Sequence, residues 1–422
     1  MRTDPAATIE DPTQSRVPAC RVNPFVDSCG APFRRRDLLK LSACAAAIGP
    51  LSAWGQTNEV ALAGLAYSGD AASMAERFPY SIAYEKSLKA AGKPAYAMLR
   101  DAIAQTPPQQ IKLVAQIDEL KGRDQAIAVA LVIASETISV EEFSGRYKLF
   151  VLIRAQALFF DFKSMSVVRA YPISSPFPPV TLDHTPTQAE IANAVRTAYE
   201  GIGGSRGVWT RFAGALSTAS LPTTTSRYLQ VARIGLKPEA TDKIPAYFAS
   251  KPGVAETWAA DIVGEALSTR TGVPIIPFSK GYAVGNVMSM RISDGDVYNL
   301  KLPKPDYEIS VELSAFRRIE YGKSAAGASY IYGSYASMKI EEPLSGKAYL
   351  NTSLKNGEIK LVPVTQTYVD DFPAFYDSVN GLFVKLSEAL AGKGNDWIKS
   401  AAAAPDIDKQ IADTRELIKL CK

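Results

Sequence analysis

The chain has 422 residues, with 47 Lys/Arg against 43 Asp/Glu, a single histidine and a formal charge of +4. Apolar residues make up 47% and charged residues 21%, ordinary globular proportions, and no Lys/Arg cluster interleaves with aromatics, which excludes a nucleic-acid partner. One histidine, His184, and one cysteine beyond residue 55, Cys421, are too few for the usual zinc, copper or haem sites or for a disulfide framework, so no cofactor is expected.

Residues 1–33 are rich in Pro, Asp, Arg and Thr and show little apolar periodicity, a composition that cannot offset its chain entropy by burial. Then come Arg34-Arg35-Arg36-Asp37-Leu38-Leu39-Lys40, a mildly apolar run from Leu41 to Leu51, and Ala53-Trp54-Gly55. A positive start, an apolar run too short to span a bilayer and a pair of small residues are the three parts of an export signal. Arg35, Arg36, Leu38, Leu39 and Lys40 resemble the twin-arginine (Tat) signal, with Leu38 where that pattern prefers Phe. The resemblance implies recognition by the Tat export machinery, cleavage between Gly55 and Gln56 with Ala53 and Gly55 as the small pair, and a periplasmic or secreted bacterial protein. Leu41-Ser42-Ala43-Cys44 also looks like a lipobox, so a lipid anchor at Cys44 is the alternative. The mature chain then has 367 residues and is nearly neutral, long enough for two cores.

From Asn58 to Gln105 the sequence reads as helical in pieces, divided at Pro79 and at Gly92-Lys93-Pro94. Strands are expected over Ile111–Leu120, Ala126–Glu141, Arg146–Phe160 and Ser166–Tyr171, each rich in β-branched and aromatic residues and set off by polar turns. Ala126–Ile133 is apolar on both faces and so belongs in the middle of a sheet. A Pro-rich loop, Pro172–Pro186, leads to Thr187-Gln188-Ala189-Glu190, a capping-box pattern, and to a helix carrying Ile191, Val195, Ala198 and Tyr199 on one side and closed by Gly201.

Gly203–Ser226 mixes Gly, Ser, Thr and Pro and reads as a linker. Beyond it the sequence predicts a strand over Tyr228–Ile234, a helix over Val254–Thr269 with Trp258, Ile262, Ala266 and Leu267 inward, and a strand over Val273–Phe278. Tyr307–Ala315 alternates apolar and polar residues, so one face of its sheet meets water. Strands follow at Ser329–Ile340, Gly346–Leu354 and Glu358–Val364, then a helix with Phe375, Val379, Leu382, Phe383, Leu386 and Leu390 on one stripe. The tail, Asp406–Leu420, is a last helix with Ile407, Ile411, Thr414 and Ile418 facing in. The expected class is α+β, with two mainly antiparallel-sheet domains at 56–205 and 227–392 carrying amphipathic helices on one face, a linker at 206–226 and a C-terminal helix within 393–422. Both halves end in antiparallel strands, a Pro-containing loop and one amphipathic helix, the pattern a diverged duplication leaves and an ordinary meander leaves too.

Catalytic patterns fail on inspection. Gly322-Lys323-Ser324 lacks the earlier glycine of a phosphate loop, and Gly201–Gly207 follows a helix instead of a strand. Asp294-Gly295-Asp296 lacks the other oxygen ligands of a calcium loop. Asp183 beside His184 is the one pair that could orient an imidazole. Glu141-Glu142, Glu341-Glu342 and Asp370-Asp371 are adjacent carboxylates whose side chains diverge on a strand. The alternation of small and aromatic residues through Tyr330, Tyr332 and Tyr335 marks an interaction hairpin, and the helix–strand–long hairpin–strand–helix order of 254–391 resembles the curli-type secretion channel family, which implies an outer-membrane assembly component. The expectation drawn from these residues is an exported binding or assembly protein without catalytic activity, acting on an unknown periplasmic protein or envelope ligand and with no membrane span in the mature chain. A carboxylate-based hydrolase of envelope polysaccharide or peptide is the first alternative, and an outer-membrane secretion component the second.

Overall fold

A computed structural model of the chain describes residues 58–69, 74–114, 126–143, 145–221, 227–249, 253–278, 283–284, 287–292, 297–364 and 369–422. The export-signal residues Arg35, Arg36, Leu38, Leu39 and Lys40, the cleavage residues Ala53, Gly55 and Gln56, the lipobox Cys44 and the turn Asp294–Asp296 all lie outside them.

The run from Ala126 to Ile133 shows how the first sheet is built. Ala128, Ala130 and Val132 alternate with Val129, Leu131 and Ile133, and all six are fully buried. Successive strand side chains point to opposite faces, so this strand has one bulky and one slender apolar face. The first half of the fold runs β1 (Asn58–Ser68), α1 (Met74–Arg77), α2 (Pro79–Ala90), α3 (Ala95–Gln105), β2 (Ile111–Val114), β3 (Ile127–Phe143), β4 (Arg146–Asp161), β5 (Ser166–Leu182), α4 (Gln188–Glu200) and α5 (Val208–Thr218). The bulky face of β3 packs with Val60, Tyr67, Phe159 and Tyr171 of its neighbours against Leu99, Val195 and Phe212 of the helices. The slender face lines a second core with Ala61, Ala66, Leu158 and Phe160.

The second half runs β6 (Leu229–Leu236), α6 (Pro238–Thr241), α7 (Ala246–Ala249), α8 (Val254–Thr271), β7 (Ala283–Val284), β8 (Val287–Ile292), β9 (Val297–Lys301), β10 (Tyr307–Ser324), β11 (Gly327–Glu342), β12 (Lys347–Pro363), α9 (Phe372–Leu390), α10 (Asn395–Ala401) and α11 (Ile407–Leu420). Its sheet has the order β12-β11-β10-β6, and α8, α9 and α11 bury Trp258, Val263, Phe375, Leu382 and Ile411 against one face.

The two halves share a topology. In each, a first strand leads through helices to a long strand that pairs with it in parallel, β1 with β3 and β6 with β10. Two further long strands follow in antiparallel order, and helices close the unit. The second half adds β7–β9 between its helices and β10, and these strands join the first sheet: β8 pairs with β1 and β9 reaches β5. The first sheet thereby closes into a ring, β1-β3-β4-β5-β9-β8, with Met288, Met290 and Leu300 completing an interior packed with side chains. So small a ring is filled by its own side chains, the alanines of β1 and β3 making room for Leu158, Phe160, Met288 and Met290. Residues Thr57–Lys422 form one compact unit.

Several expectations are corrected by this arrangement. Asn58–Ser68 is a strand, not a helix: its three alanines and two leucines favour a helix locally, and pairing with β2, β3 and β8 overrides that weak preference. β5 runs through the expected Pro-rich loop. Its second edge meets β9 only at Ser166, so the prolines at 172 and 176 displace no ladder donor on that side. The expected linker at 206–226 contains α5. Residues 273–278 contribute a single bridge, Gln230 to Ile276, instead of a strand, and the two strands expected over 346–364 form one, β12.

Other local signals appear as read. Thr187 accepts from the Glu190 backbone while Glu190 accepts from that of Thr187, completing the capping box of α4. Gly272 ends α8 at φ 73, and β10 buries alternate residues from Tyr307 to Leu313. Pro79 divides the helical stretch as expected, ending α1 and standing at the start of α2, and α2 is capped from a distance: Glu136 of β3 accepts from the N–H groups of Tyr80 and Ser81 at 3.1 and 2.6 Å. Among the described residues no helix is long and apolar enough to cross a membrane.

Candidate functional site

β4 organises the junction between the halves. Its residues 148, 150, 152, 154 and 156 share one face, and that face leaves the first sheet's own helices and turns toward α8 and the start of α9. The side chains alternate in chemistry along it. Lys148 pairs with Asp370 just before α9, Phe150 and Leu152 join the second half's core, Arg154 pairs with Asp261 of α8 at 2.8 Å, and Gln156 donates to the Met288 sulfur at 3.7 Å.

α8 is gripped on one face by three elements of the first half. Asp261 and Glu265 lie one turn apart and so project together. Asp261 meets Arg154, and Glu265 accepts from Ser174 of β5 and from Arg211 of α5, the latter at 3.3 Å. Gly264 between them faces β5, where a Cβ would stand in ordinary contact with the Pro172 ring at 3.4 Å. Burial pushes both carboxyls above their usual range, against the pull of Arg154 and Arg211. Beneath this face, at the mouth of the ring, lies a cavity of about 60 Å³ lined in part by Ser68, Gln156, Thr257, Asp261 and Met288. At ~30 Å³ for each water it has room for one or two.

A larger recess of about 210 Å³ opens at the other end of the same face. Phe150, Pro176 and Phe177 form one wall, and Phe372, Pro373 and Tyr376 the other, with Lys148 and Asp377 beside them. Its aromatic side is held by stacking: Trp258 of α8 lies 6.1 Å from Phe372 and 6.4 Å from Tyr376, centroid to centroid, with Phe248 packed on both Trp258 and Phe372. The prolines and stacked rings make the walls stiff.

The residues singled out from the sequence fall elsewhere. His184 is exposed and sits between two carboxylates, Asp183 at 2.8 Å on Nδ1 and Glu190 at 3.0 Å on Nε2. Both ring nitrogens are thereby engaged by carboxylates, and those hydrogen bonds raise its pKa. Cys421 is buried, and burial pushes its thiol up to about 12. Of the three tyrosines, Tyr332 is buried against Phe375 and donates to Asp371 at 2.7 Å. Tyr330 is half-buried with the Arg318 guanidinium 3.8 Å from its ring centre, and Tyr335 lies under Arg317 at 5.4 Å. Tyr332 thus serves the core of its own sheet, while Tyr330 and Tyr335 stay partly exposed on the hairpin. Asp370 and Asp371 do diverge, to Lys148 and to Tyr332 with Arg318. The Gly201–Gly207 stretch is a tight turn between α4 and α5: a Cβ at Gly201 or Gly207 would come within 2.3 or 2.2 Å of a backbone oxygen. Among the described residues no three His, Cys, Asp or Glu stand together as a metal would need.

No signal in the sequence alone brings Arg154 to Asp261 or Phe177 to Tyr376, because both contacts join halves that are distant along the chain. The apolar–cationic alternation of Lys148, Phe150, Leu152 and Arg154 could have indicated that this face of β4 meets a mixed surface.

No family model and no curated protein matches this chain. Among solved structures it is similar to a Xanthomonas campestris protein of the DUF330 family, with 12% identity and a TM-score of 0.22 over 42% of this chain and 86% of that one. It is also similar to a homolog of the neuraminyllactose-binding hemagglutinin from Helicobacter pylori, with 9% identity and a TM-score of 0.22 over 48% of this chain and 98% of that one. Neither likeness is close enough to carry a function across.

Proposed function

We propose that this is an exported bacterial envelope protein that acts by binding, and that the recess between β4, β5 and α9 receives an apolar anchoring side chain of a protein partner. The observation that carries this reading is the recess itself, with four aromatic residues and two prolines rigidly placed around about 210 Å³. That volume is below the ~300 Å³ at which small-molecule sites begin, and it suits one bulky side chain of the kind that anchors protein interfaces. Export rests on the Arg35-Arg36 signal and its apolar run.

A hydrolase reading draws support from Asp261 and Glu265, two neighbouring carboxyls with raised pKa values. It is the weaker of the two, since each carboxyl faces an arginine and the adjoining cavity holds only about 60 Å³.

The test places a photocrosslinking amino acid at Phe177 in the cell and, as a control, at Leu344, which is 96% exposed on the turn between β11 and β12. One discrete adduct at 177 that is missing at 344 is the expected result. Identical labelling at both positions, or none at 177 in a correctly exported protein, counts against the recess as a docking site.

A further inference from the structure

β10, β11 and β12 extend past the part of their sheet that the helices cover. On the opposite, helix-free face the register sets Ile319 beside Ile331 and Ile331 beside Ile359, three isoleucines abreast. Ile359 is 60% exposed, and Leu361 continues the apolar surface at 57%. The next row holds Gly333 and Gly357. A Cβ at Gly333 would lie 3.2 Å from the Tyr335 ring, and one at Gly357 would lie 3.1 Å from an Ile331 methyl. Tyr335 and Ile331 therefore lie down over the glycines and flatten the face.

β12 is also an edge strand. The segment after α10 covers its first part: Leu354 bridges to Ala402, the Ala403 N–H donates to the Ser353 oxygen, and the Asn351 N–H donates to Gln410. Beyond Leu354 the edge continues through Lys355–Pro363 with the order Glu358-Ile359-Lys360 at its centre.

We infer that this chain pairs with a second copy of itself along Lys355–Pro363 of β12, antiparallel and centred on Ile359. In that register Glu358 of each copy stands opposite Lys360 of the other, twice over, and directly opposed unlike charges favour an antiparallel pair. On the helix-free face Ile359 meets Ile359, so the row of three isoleucines becomes one of six, and Leu361 falls opposite Gly357. Neighbouring registers fail. A shift of one residue sets the apolar face of one copy against the polar face of the other, and a centre on residue 358 or 360 opposes like charges. Within one copy Glu358 and Lys360 touch Lys385 and Asp377 at 3.5 and 2.8 Å, exposed pairs that contribute little and leave both charges accessible across the strand. The pairing is independent of the recess on β4.

The test is sedimentation equilibrium on the full chain. The wild-type protein is expected to show a monomer–dimer equilibrium. Glu358→Lys and Lys360→Glu each oppose like charges and should weaken association at least about tenfold, equivalent to ~1.4 kcal/mol. An equimolar mixture of the two variants should associate, because each chain then carries a single sign at both positions. Ile359→Glu, at an exposed site that does not endanger the fold, should be monomeric as well. A wild-type chain monomeric up to about 1 mM, where pairing worth ~4 kcal/mol would register, overturns the inference. So does a mixture of folded charge variants that stays monomeric, or charge variants that dimerise as the wild type does.

Discussion

Replacing Arg154 by Met tests whether the junction between the halves is held by a buried ion pair. The Arg154 side chain is only 4% exposed and Asp261 is 26% exposed. The guanidinium donates to the Ser135 hydroxyl at 2.8 Å and faces Asp261 at 2.8 Å. Removing one partner of a buried pair leaves an uncompensated charge and costs about 3–5 kcal/mol. Because Asp261 keeps some solvent, the lower end, about 3 kcal/mol at pH 7, is expected. That is a large share of the ~5–15 kcal/mol by which folded proteins are stable. Replacing both members, Arg154→Met with Asp261→Leu, removes the stranded charge and should return to within about 1 kcal/mol of the wild type.

The pH dependence follows from the carboxyl. Asp261 is already held above its usual range by burial, and loss of Arg154 raises it further. A carboxyl raised in the folded state takes up a proton there before it does in the unfolded chain, so the folded state gains as pH falls through the raised value toward ~4. The Arg154→Met penalty should thus be complete above that raised value and shrink on acidification. Urea unfolding read by tryptophan fluorescence, compared with wild type at each pH, gives the difference as a shift in midpoint at constant slope. A single-variant loss below about 1 kcal/mol at pH 7, or a double variant as unstable as the sum of the singles, would refute the argument.

Three further outcomes are expected. Ala130→Leu places three more carbons inside the closed ring, where Ala130 is fully buried, and should destabilise by at least about 1–3 kcal/mol through overpacking; a thermal midpoint unchanged from wild type would mean that the ring interior is loose. Cys421, buried and with its thiol pushed up to about 12, should resist iodoacetamide until the protein is denatured, as peptide mass mapping would show; labelling in the native state contradicts the burial. Changing Arg35 and Arg36 together to Lys keeps the charge and should still block export, because an ammonium does not reproduce guanidinium geometry. N-terminal sequencing of exported protein should begin at Gln56, and normal processing of the Lys–Lys variant would point to the general secretory route instead.

What was legible from sequence was set by neighbours close along the chain. The capping box at Thr187 and Glu190, the Gly272 stop, the stripes of α8 and α9 and the alternation of β10 each depend on residues within about two turns or one strand, and each appears where the pattern placed it. The α+β class follows from those elements. The continuous apolar run Ala126–Ile133 indicated a strand buried on both faces; that its small face lines a closed ring depends on β8 and β9, supplied from the far half. Only the tertiary structure made Asn58–Ser68 a strand, because its backbone partners, β2, β3 and β8, are all distant along the chain. The same holds for the prolines of β5, acceptable on an edge whose freedom no local pattern announces. The Arg154–Asp261 pair and the aromatic recess exist only where the halves meet, and a contact between residues so far apart leaves no periodicity behind, since helix and strand patterns record which face of an element is buried and not what buries it.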